Sequence, residues 1–150
     1  MKFWFQTTAI IMCLLVMCFC TTSCSGNKET KQGKAEITEK NFSTVKDGKF
    51  SYSLNVTGKV KNVGSVDLKN IIVTGYCRSC KETMISNTWY VTQEVKRDEQ
   101  KSAIAYMPVG AEENFSFNGI AYYYSQSSEP PQGIPEKLDV VVESFEPVEK

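Results

Sequence analysis

The sequence predicts an all-β domain, a seven-stranded antiparallel sandwich, on three observations. Short apolar segments recur at regular spacing, and residues typical of turns separate them. The segment from 50 to 60 alternates strictly between apolar and polar residues, which is typical of a half-buried strand. Once the N-terminal segment is set aside, no window combines helical periodicity with helix caps.

Seven segments carry the strand patterns. They are residues 35–42, 50–60, 66–76, 84–95, 102–107, 115–124 and 138–142. In the third, Ile71-Ile72-Val73 is continuously apolar, which favours a strand covered on both faces. In the sixth the apolar face changes near Gly119, so we expect a β-bulge there. Strands of this number and spacing predict two packed antiparallel sheets of immunoglobulin-like type in residues 34–146.

The N-terminus predicts export and lipid attachment. Met1-Lys2 precedes an apolar run over residues 9–20, and small residues then lead to Cys24. The run is much shorter than the roughly 20 residues that span a membrane, so a cleaved signal is favoured over an anchor helix. The motif resembles the lipobox of bacterial lipoproteins, in the looser form of the Bacteroidetes. An ordinary signal cut nearby is the alternative, and it would leave Cys24 as an odd thiol.

The lipobox resemblance implies a domain plan and a location. Residues 1–23 would be a signal peptide, Cys24 the lipid attachment site for fatty acids such as palmitate, and residues 24–33 a flexible tether. The tether has no apolar residue after the cysteine, which agrees with that role. The expected location is the bacterial envelope, most simply the outer membrane, with the periplasmic and surface faces both open.

Composition excludes several functions. Lys and Arg together number 17, as do Asp and Glu, so bulk charge gives no attraction to nucleic acid. The chain has no histidine, which removes histidine-based catalysis and metal ligation. We therefore expect no cofactor, no metal site, no nucleic-acid partner and no enzymatic activity. No spacing of acids, serines or lysines marks a catalytic pair.

Three segments resemble the FxLYD-type immunoglobulin-like domain. They are Val56-Thr-Gly-Lys-Val-Lys-Asn-Val-Gly64, residues 68–74, and Met107-Pro-Val-Gly-Ala-Glu-Glu-Asn-Phe115. In that family a strand ending in Gly-x-Val-x-Asn precedes a central strand, and a Pro-x-Gly turn follows later. The resemblance spans roughly residues 35–145. It implies an accessory domain of the envelope or cell surface and implies no catalytic residues.

Cys77 and Cys80 are the cysteines left for the folded domain. Residues three apart on an extended strand lie about 10 Å apart, whereas a disulfide needs Cα atoms within about 7 Å. A bridge therefore requires the chain to turn after Tyr76. Oxidation is the default outside the cytosol, so we expect a structural disulfide. A thiol–disulfide enzyme site and a zinc site are the alternatives, but the sequence offers neither a βαβ setting nor further ligands.

Four aromatic residues are the candidate ligand-binding groups. Trp89, Tyr90, Tyr122 and Tyr124 could stack on sugars or peptides if they face water, although aromatic residues in sandwiches usually pack in the core. Because side chains alternate between the two faces of a strand, Tyr122 and Tyr124 share one face and Tyr123 lies on the other. The sequence thus predicts a non-catalytic binding or scaffolding module held to the membrane by lipid on Cys24. The alternatives are a thiol–disulfide protein and a glycan- or peptide-binding lipoprotein.

Overall fold

Two antiparallel sheets pack face to face in a computed structural model that describes residues 31–92 and 96–148. The described residues contain seven strands, one 3₁₀ turn at Asp98–Gln100 and no α-helix. The strands are β1 Ala35–Lys46, β2 Ser51–Asn62, β3 Leu68–Cys77, β4 Trp89–Tyr90, β5 Lys101–Met107, β6 Glu112–Tyr124 and β7 Leu138–Pro147. The predicted all-β fold with seven strands in two antiparallel sheets is confirmed.

The first sheet has the strand order β1-β2-β6-β4 and the second β5-β3-β7. Every strand pair in them is antiparallel. Immunoglobulin constant domains order their sheets ABED and CFG, so the connections here differ, because β6 rather than β5 pairs with β2. The buried apolar side chains of both sheets form one core. It contains Leu54, Val56, Val60, Leu68, Ile71, Val73, Met107, Phe115, Phe117, Ile120, Ala121 and Val140.

The alternating pattern of β2 is confirmed, and the strand ends on a buried polar residue. Leu54, Val56 and Val60 are buried toward the second sheet, as the period of two predicts. Asn62 follows on the same face and is 0% exposed. Its side-chain amide donates to the carbonyl oxygens of Val66 and Met107, so the buried polar group is satisfied.

The expected bulge near Gly119 is confirmed. Leu54 lies opposite Ala121 and Val56 opposite Phe117, so β6 has two more residues than β2 between these pairs. Gly119 has a φ of 67°, a left-handed conformation that glycine adopts without steric cost. Its backbone N–H donates to the side-chain oxygen of Asn55, and its carbonyl accepts from the buried Gln100 amide.

The predicted strand over 84–95 is wrong over residues 84–92, except for its centre. Only Trp89–Tyr90 forms a strand, and residues 93–95 lie outside the described part of the chain. The chain instead turns after the Cys77–Cys80 bridge, with Asn87 at a φ of 60°. The backbone of Lys81 donates a hydrogen bond to the carbonyl of Trp89 and accepts one from the N–H of Val91. Met84 and Ile85 therefore lie in the loop between these residues, where they are 62% and 49% exposed. Met84 and Ile85 are thus apolar residues of an exposed loop and do not belong to a strand.

The N-terminal predictions concern residues outside the described part. The signal peptide 1–23, the lipid site Cys24 and the tether up to residue 30 belong to this group. The described chain begins beside the β2–β3 turn, where the N–H groups of Val63 and Gly64 donate to the carbonyl of Lys34. Among the described residues, no helix has the length and apolar character needed to cross a membrane.

Candidate ligand-binding site

An open groove of about 540 Å³ lies at one end of the sandwich. It is lined by Trp89 of β4, Tyr123 of β6 and the loop between β6 and β7, with Asn87 beside them. Its volume is within the range of small-molecule binding sites in proteins, roughly 300–1,000 Å³.

Strand pairing places the two rings in this groove. Trp89 lies directly opposite Tyr123, and Tyr123 lies opposite Tyr52 of β2. Directly opposed residues project on the same face, so the three rings form a row across the sheet. The ring centroids of Trp89 and Tyr123 are 5.4 Å apart, and those of Tyr52 and Tyr123 are 6.3 Å apart. Each such pair contributes about 0.5–1.5 kcal/mol beyond burial, so the row is a rigid base for the groove.

Hydrogen bonds from the same row hold the loop in place. The Trp89 indole N–H donates to the carbonyl of Gly133 at 2.8 Å, and the Tyr52 hydroxyl donates to the carbonyl of Ser128, also at 2.8 Å. The loop begins at the buried Ser125, whose N–H donates to Phe50. The polar segment with its prolines is thus fixed to the sheet at several points and forms a wall of the groove.

The groove presents polar side chains that make no hydrogen bond within the part of the chain that the structure describes. Neither the side-chain amides of Asn87 and Gln132 nor the carboxylate of Glu129 makes a hydrogen bond or ion pair within residues 31–92 and 96–148. The same holds for the hydroxyl of Tyr123. Asn87 is positioned by its backbone, whose N–H donates to the carbonyl of Tyr124 at 2.7 Å. These groups are free to bond a ligand.

The other predicted aromatic residues lie elsewhere. Tyr90 and Tyr122 are opposite partners with ring centroids 6.2 Å apart, and the Tyr122 hydroxyl accepts a hydrogen bond from Arg97. Burial raises the pKa of Tyr90 above its usual value, and the charge of Asp47 adds to the effect. Tyr124 contacts Phe50 edge-on at 6.4 Å. Of the four predicted binding residues, only Trp89 lines the groove.

Tyr123 lines the groove but is not among the four aromatic residues selected from the sequence. The alternation of side chains along a strand places it on the opposite face from Tyr122 and Tyr124, and the sequence pattern favours those two. Tyr123 could be identified as a groove residue from its position opposite Tyr52, which lies on the apolar face of β2. That relation depends on the register of two strands far apart in sequence.

Cys77 and Cys80 form the expected disulfide. Their Cα atoms are 5.5 Å apart, so the chain turns directly after β3. Arg78 in this turn donates its backbone N–H to Lys137 and forms an ion pair with Asp139 at 3.1 Å. Both cysteines are half-buried against the edge of the core. The bridge therefore closes the turn that follows β3, and Arg78 within that turn bonds to residues at the start of β7.

Comparisons with known protein families, with curated proteins and with solved structures find no match for this chain. The class that the coordinates define is an antiparallel sandwich with a disulfide-closed turn and an aromatic groove at one end. Its function has to be inferred from its own residues.

Proposed function

We propose that this chain is a lipid-anchored lipoprotein of the bacterial envelope, in the outer membrane, that acts as a non-catalytic binding module. The observation that carries the binding role is the groove, where the Trp89 and Tyr123 rings lie beside polar side chains that have no partner among the described residues. Concave sites with aromatic walls and a few free polar groups are typical of ligand binding.

The proposed anchor rests on the sequence around Cys24. A basic start, a short apolar run and small residues before a cysteine are what lipoprotein export requires. The resemblance to FxLYD-type domains supports the same location. An oxidising compartment is also where a Cys77–Cys80 disulfide persists.

The absence of catalysis is part of the proposal, and the chemistry of the groove supports it. Among the described residues, Glu129 is the one acidic residue of the groove lining, and no lysine or arginine accompanies it there. General acid–base catalysis normally needs two groups with different proton affinities within reach of one substrate. A lone carboxylate beside amides and rings is better suited to binding.

A thiol–disulfide function is the second candidate, because the Cys77–Cys80 bridge is half-buried rather than enclosed. Redox-active pairs usually lie at a helix N-terminus, which lowers the pKa of the attacking thiol. This pair follows a strand, and the part of the chain that the structure describes has no α-helix. A reductase or isomerase activity that Cys77→Ser abolishes would favour this candidate over the binding module.

The test is the intact mass of the native protein purified in detergent, measured with and without reduction, together with protease treatment of whole cells. We expect a lipid adduct on a chain that begins at Cys24 and a rise of about two daltons on reduction, the mass of two hydrogens. The Cys24→Ser variant should lose the adduct and leave the membrane fraction. An unmodified native chain would contradict the proposed anchor.

A further inference from the structure

We propose that the groove binds a neutral oligosaccharide, an inference that rests on the proposed binding function and names its ligand class. Three features of the groove carry it: its aromatic base, its free amide and carboxylate groups, and the absence of lysine and arginine from its described lining.

The aromatic base suits a sugar ring. One face of a pyranose exposes mainly C–H groups, which pack on aromatic rings, while its hydroxyl groups point outward and need hydrogen bonds. Trp89 and Tyr123 supply an aromatic surface that cannot collapse, because Trp89 is bonded to Gly133 and Tyr123 packs between Trp89 and Tyr52. A preorganised surface avoids part of the entropy cost of binding.

The polar groups around the rings match sugar hydroxyls. An amide both donates and accepts hydrogen bonds, as a hydroxyl does, and a carboxylate accepts two. Asn87, Glu129 and Gln132 line the groove and are exposed, with no side-chain partner in the described residues. Their geometry thus allows several hydroxyl contacts beside one stacked ring.

Charge limits the ligand to a neutral one. Among the described residues that line the groove, Glu129 is the only charged one, and none is a lysine or an arginine. Phosphates, sulfates and uronic acids would meet a carboxylate with no compensating cation, which is unfavourable at short range. A neutral chain of sugars avoids this repulsion.

A peptide fits the same groove less well. Extended peptides usually bind by adding a strand to an exposed sheet edge. The outer edge of β4 is already occupied, because Lys81 donates to the carbonyl of Trp89 and accepts from the N–H of Val91. The polar groups that remain in the groove belong to side chains, which serve hydroxyl groups better than a peptide backbone.

The groove also lies at the end of the sandwich away from the point where the chain enters it. β1 starts at Ala35 opposite Asn62 and ends at Lys46 opposite Tyr52, the first ring of the aromatic row. A strand of this length extends about 37 Å. The groove therefore lies at the opposite end of β1 from Ala35, where the described chain enters the sheet.

Trp89 makes the test direct. The chain has two tryptophans, Trp4 and Trp89, so cleavage before Cys24 leaves Trp89 as the reporter. The mature protein in detergent is titrated with maltohexaose, cellohexaose, xylohexaose, mannohexaose and chitohexaose, and with capped hexapeptides as a separate panel. We expect a saturable change in Trp89 emission with at least one hexasaccharide and none with the peptides. Raising the salt concentration should leave the affinity unchanged within about twofold, because the ligand is uncharged.

Matched variants test the place of binding. Glu129→Ala and Gln132→Ala should each weaken the affinity about tenfold or more, since each removes hydrogen bonds to the ligand. Glu136→Ala and Gln126→Ala are the controls, because these residues are exposed on the same loop and do not line the groove. Thermal unfolding checks that all four variants remain folded.

The outcomes separate this inference from the proposed function. No response to any hexasaccharide at millimolar concentration would overturn it, and so would equal weakening by groove and control variants. Saturable binding of peptides alone would also overturn the sugar assignment while leaving a binding module intact. Loss of the lipid adduct on Cys24 is an independent result that concerns the anchor alone.

Discussion

Trp89 donates its indole N–H to the carbonyl oxygen of Gly133 at 2.8 Å, although the two residues are 44 positions apart. This bond joins the two-residue strand β4 to the loop before β7. It fixes the distance between the aromatic base of the groove and the wall that carries Glu129 and Gln132. The shape of the proposed binding site therefore depends on it.

Trp89→Phe should loosen this loop while keeping the aromatic contact with Tyr123. The lost hydrogen bond has a net value of about 0.5–1.5 kcal/mol, so amide exchange near Gly133 should become about two- to tenfold faster. Hydrogen–deuterium exchange of a peptide covering residues 126–137 measures this. Tyr90→Phe, on the neighbouring residue of β4, is the control and should leave exchange in that peptide unchanged. Equal exchange in both variants would show that the bond does not hold the loop.

Asn62→Ala should be among the most destabilising single substitutions at a polar position. It removes donors to the carbonyls of Val66 and Met107 and an acceptor for the N–H of Gly64. The Gly64 N–H keeps its bond to Lys34, but the loss of the amide donor to the Val66 and Met107 carbonyls in a buried site should lower the free energy of unfolding by about 2–3 kcal/mol in urea denaturation. Asn114→Ala, at an exposed position, should change it by less than about 0.5 kcal/mol. A loss below about 1 kcal/mol for Asn62→Ala would contradict this role.

Gly119→Ala should disturb the bulge of β6. The residue has a φ of 67°, and a Cβ there would lie 2.9 Å from Cζ of Tyr122. Strain from a left-handed alanine costs about 1–2 kcal/mol, and displacement of the Tyr122 ring adds to it. We expect a loss of about 2 kcal/mol or more. Gly133→Ala is the matched variant, since no heavy atom lies within 4 Å of its Cβ position, and it should leave stability within about 1 kcal/mol of wild type.

Removing the disulfide should have a modest effect. The Cys77–Cys80 bridge closes a loop of four residues, for which the chain-entropy relation gives about 2 kcal/mol. Unfolding of the Cys77→Ser, Cys80→Ser double variant should show a loss of that size. Dithiothreitol should destabilise the wild-type protein by the same amount and leave the double variant unaffected. A fold lost completely on reduction would mean that the bridge does more than shape the turn.

The carboxylate of Glu146 should contribute a pH-dependent part of the stability. Hydrogen bonds from Asn70 and Lys69 lower its pKa below the usual value of 4.5. A depressed pKa in the folded state gives stability that is present above the ordinary value and is lost as the pH falls through the folded one. The difference in unfolding free energy between wild type and Glu146→Gln should therefore shrink from pH 7 to pH 3.

Glu113→Gln is the matched control for this pH dependence, because Glu113 is exposed and forms no ion pair within the described residues. Its difference from wild type should vary less between the two pH values. A constant difference for Glu146→Gln would contradict the assigned hydrogen bonds.

The sequence predicted the strands that alternate or contain several β-branched residues, because their patterns follow directly from the geometry of a sheet. It also located the bulge at Gly119, where the apolar face changes side. It failed over 84–95, since an apolar segment does not reveal whether a neighbouring strand has room for it. In this segment the disulfide-closed turn and the left-handed backbone of Asn87 direct the chain away from the sheet, so Met84 and Ile85 lie outside the core.

The candidate site was predicted only in part, for a related reason. Trp89 is among the aromatic candidates that the sequence offers, but the sequence pattern favours Tyr122 and Tyr124 over Tyr123. Strand register decides between them, and register is a long-range property. Glu129 and Gln132 could not be predicted either, because the loop that carries them is positioned by bonds to Trp89 and Tyr52.

The binding claim is tested most directly by ¹⁵N–¹H correlation spectra of the mature protein, recorded while a mixture of the five hexasaccharides is added. We expect the indole resonance of Trp89 to shift together with the backbone amides of Gln132 and Gly133. Resonances of Gly64 and Gly110, at the opposite end, should stay in place. Shifts confined to that opposite end, or no shift at all, would contradict a sugar-binding groove at Trp89.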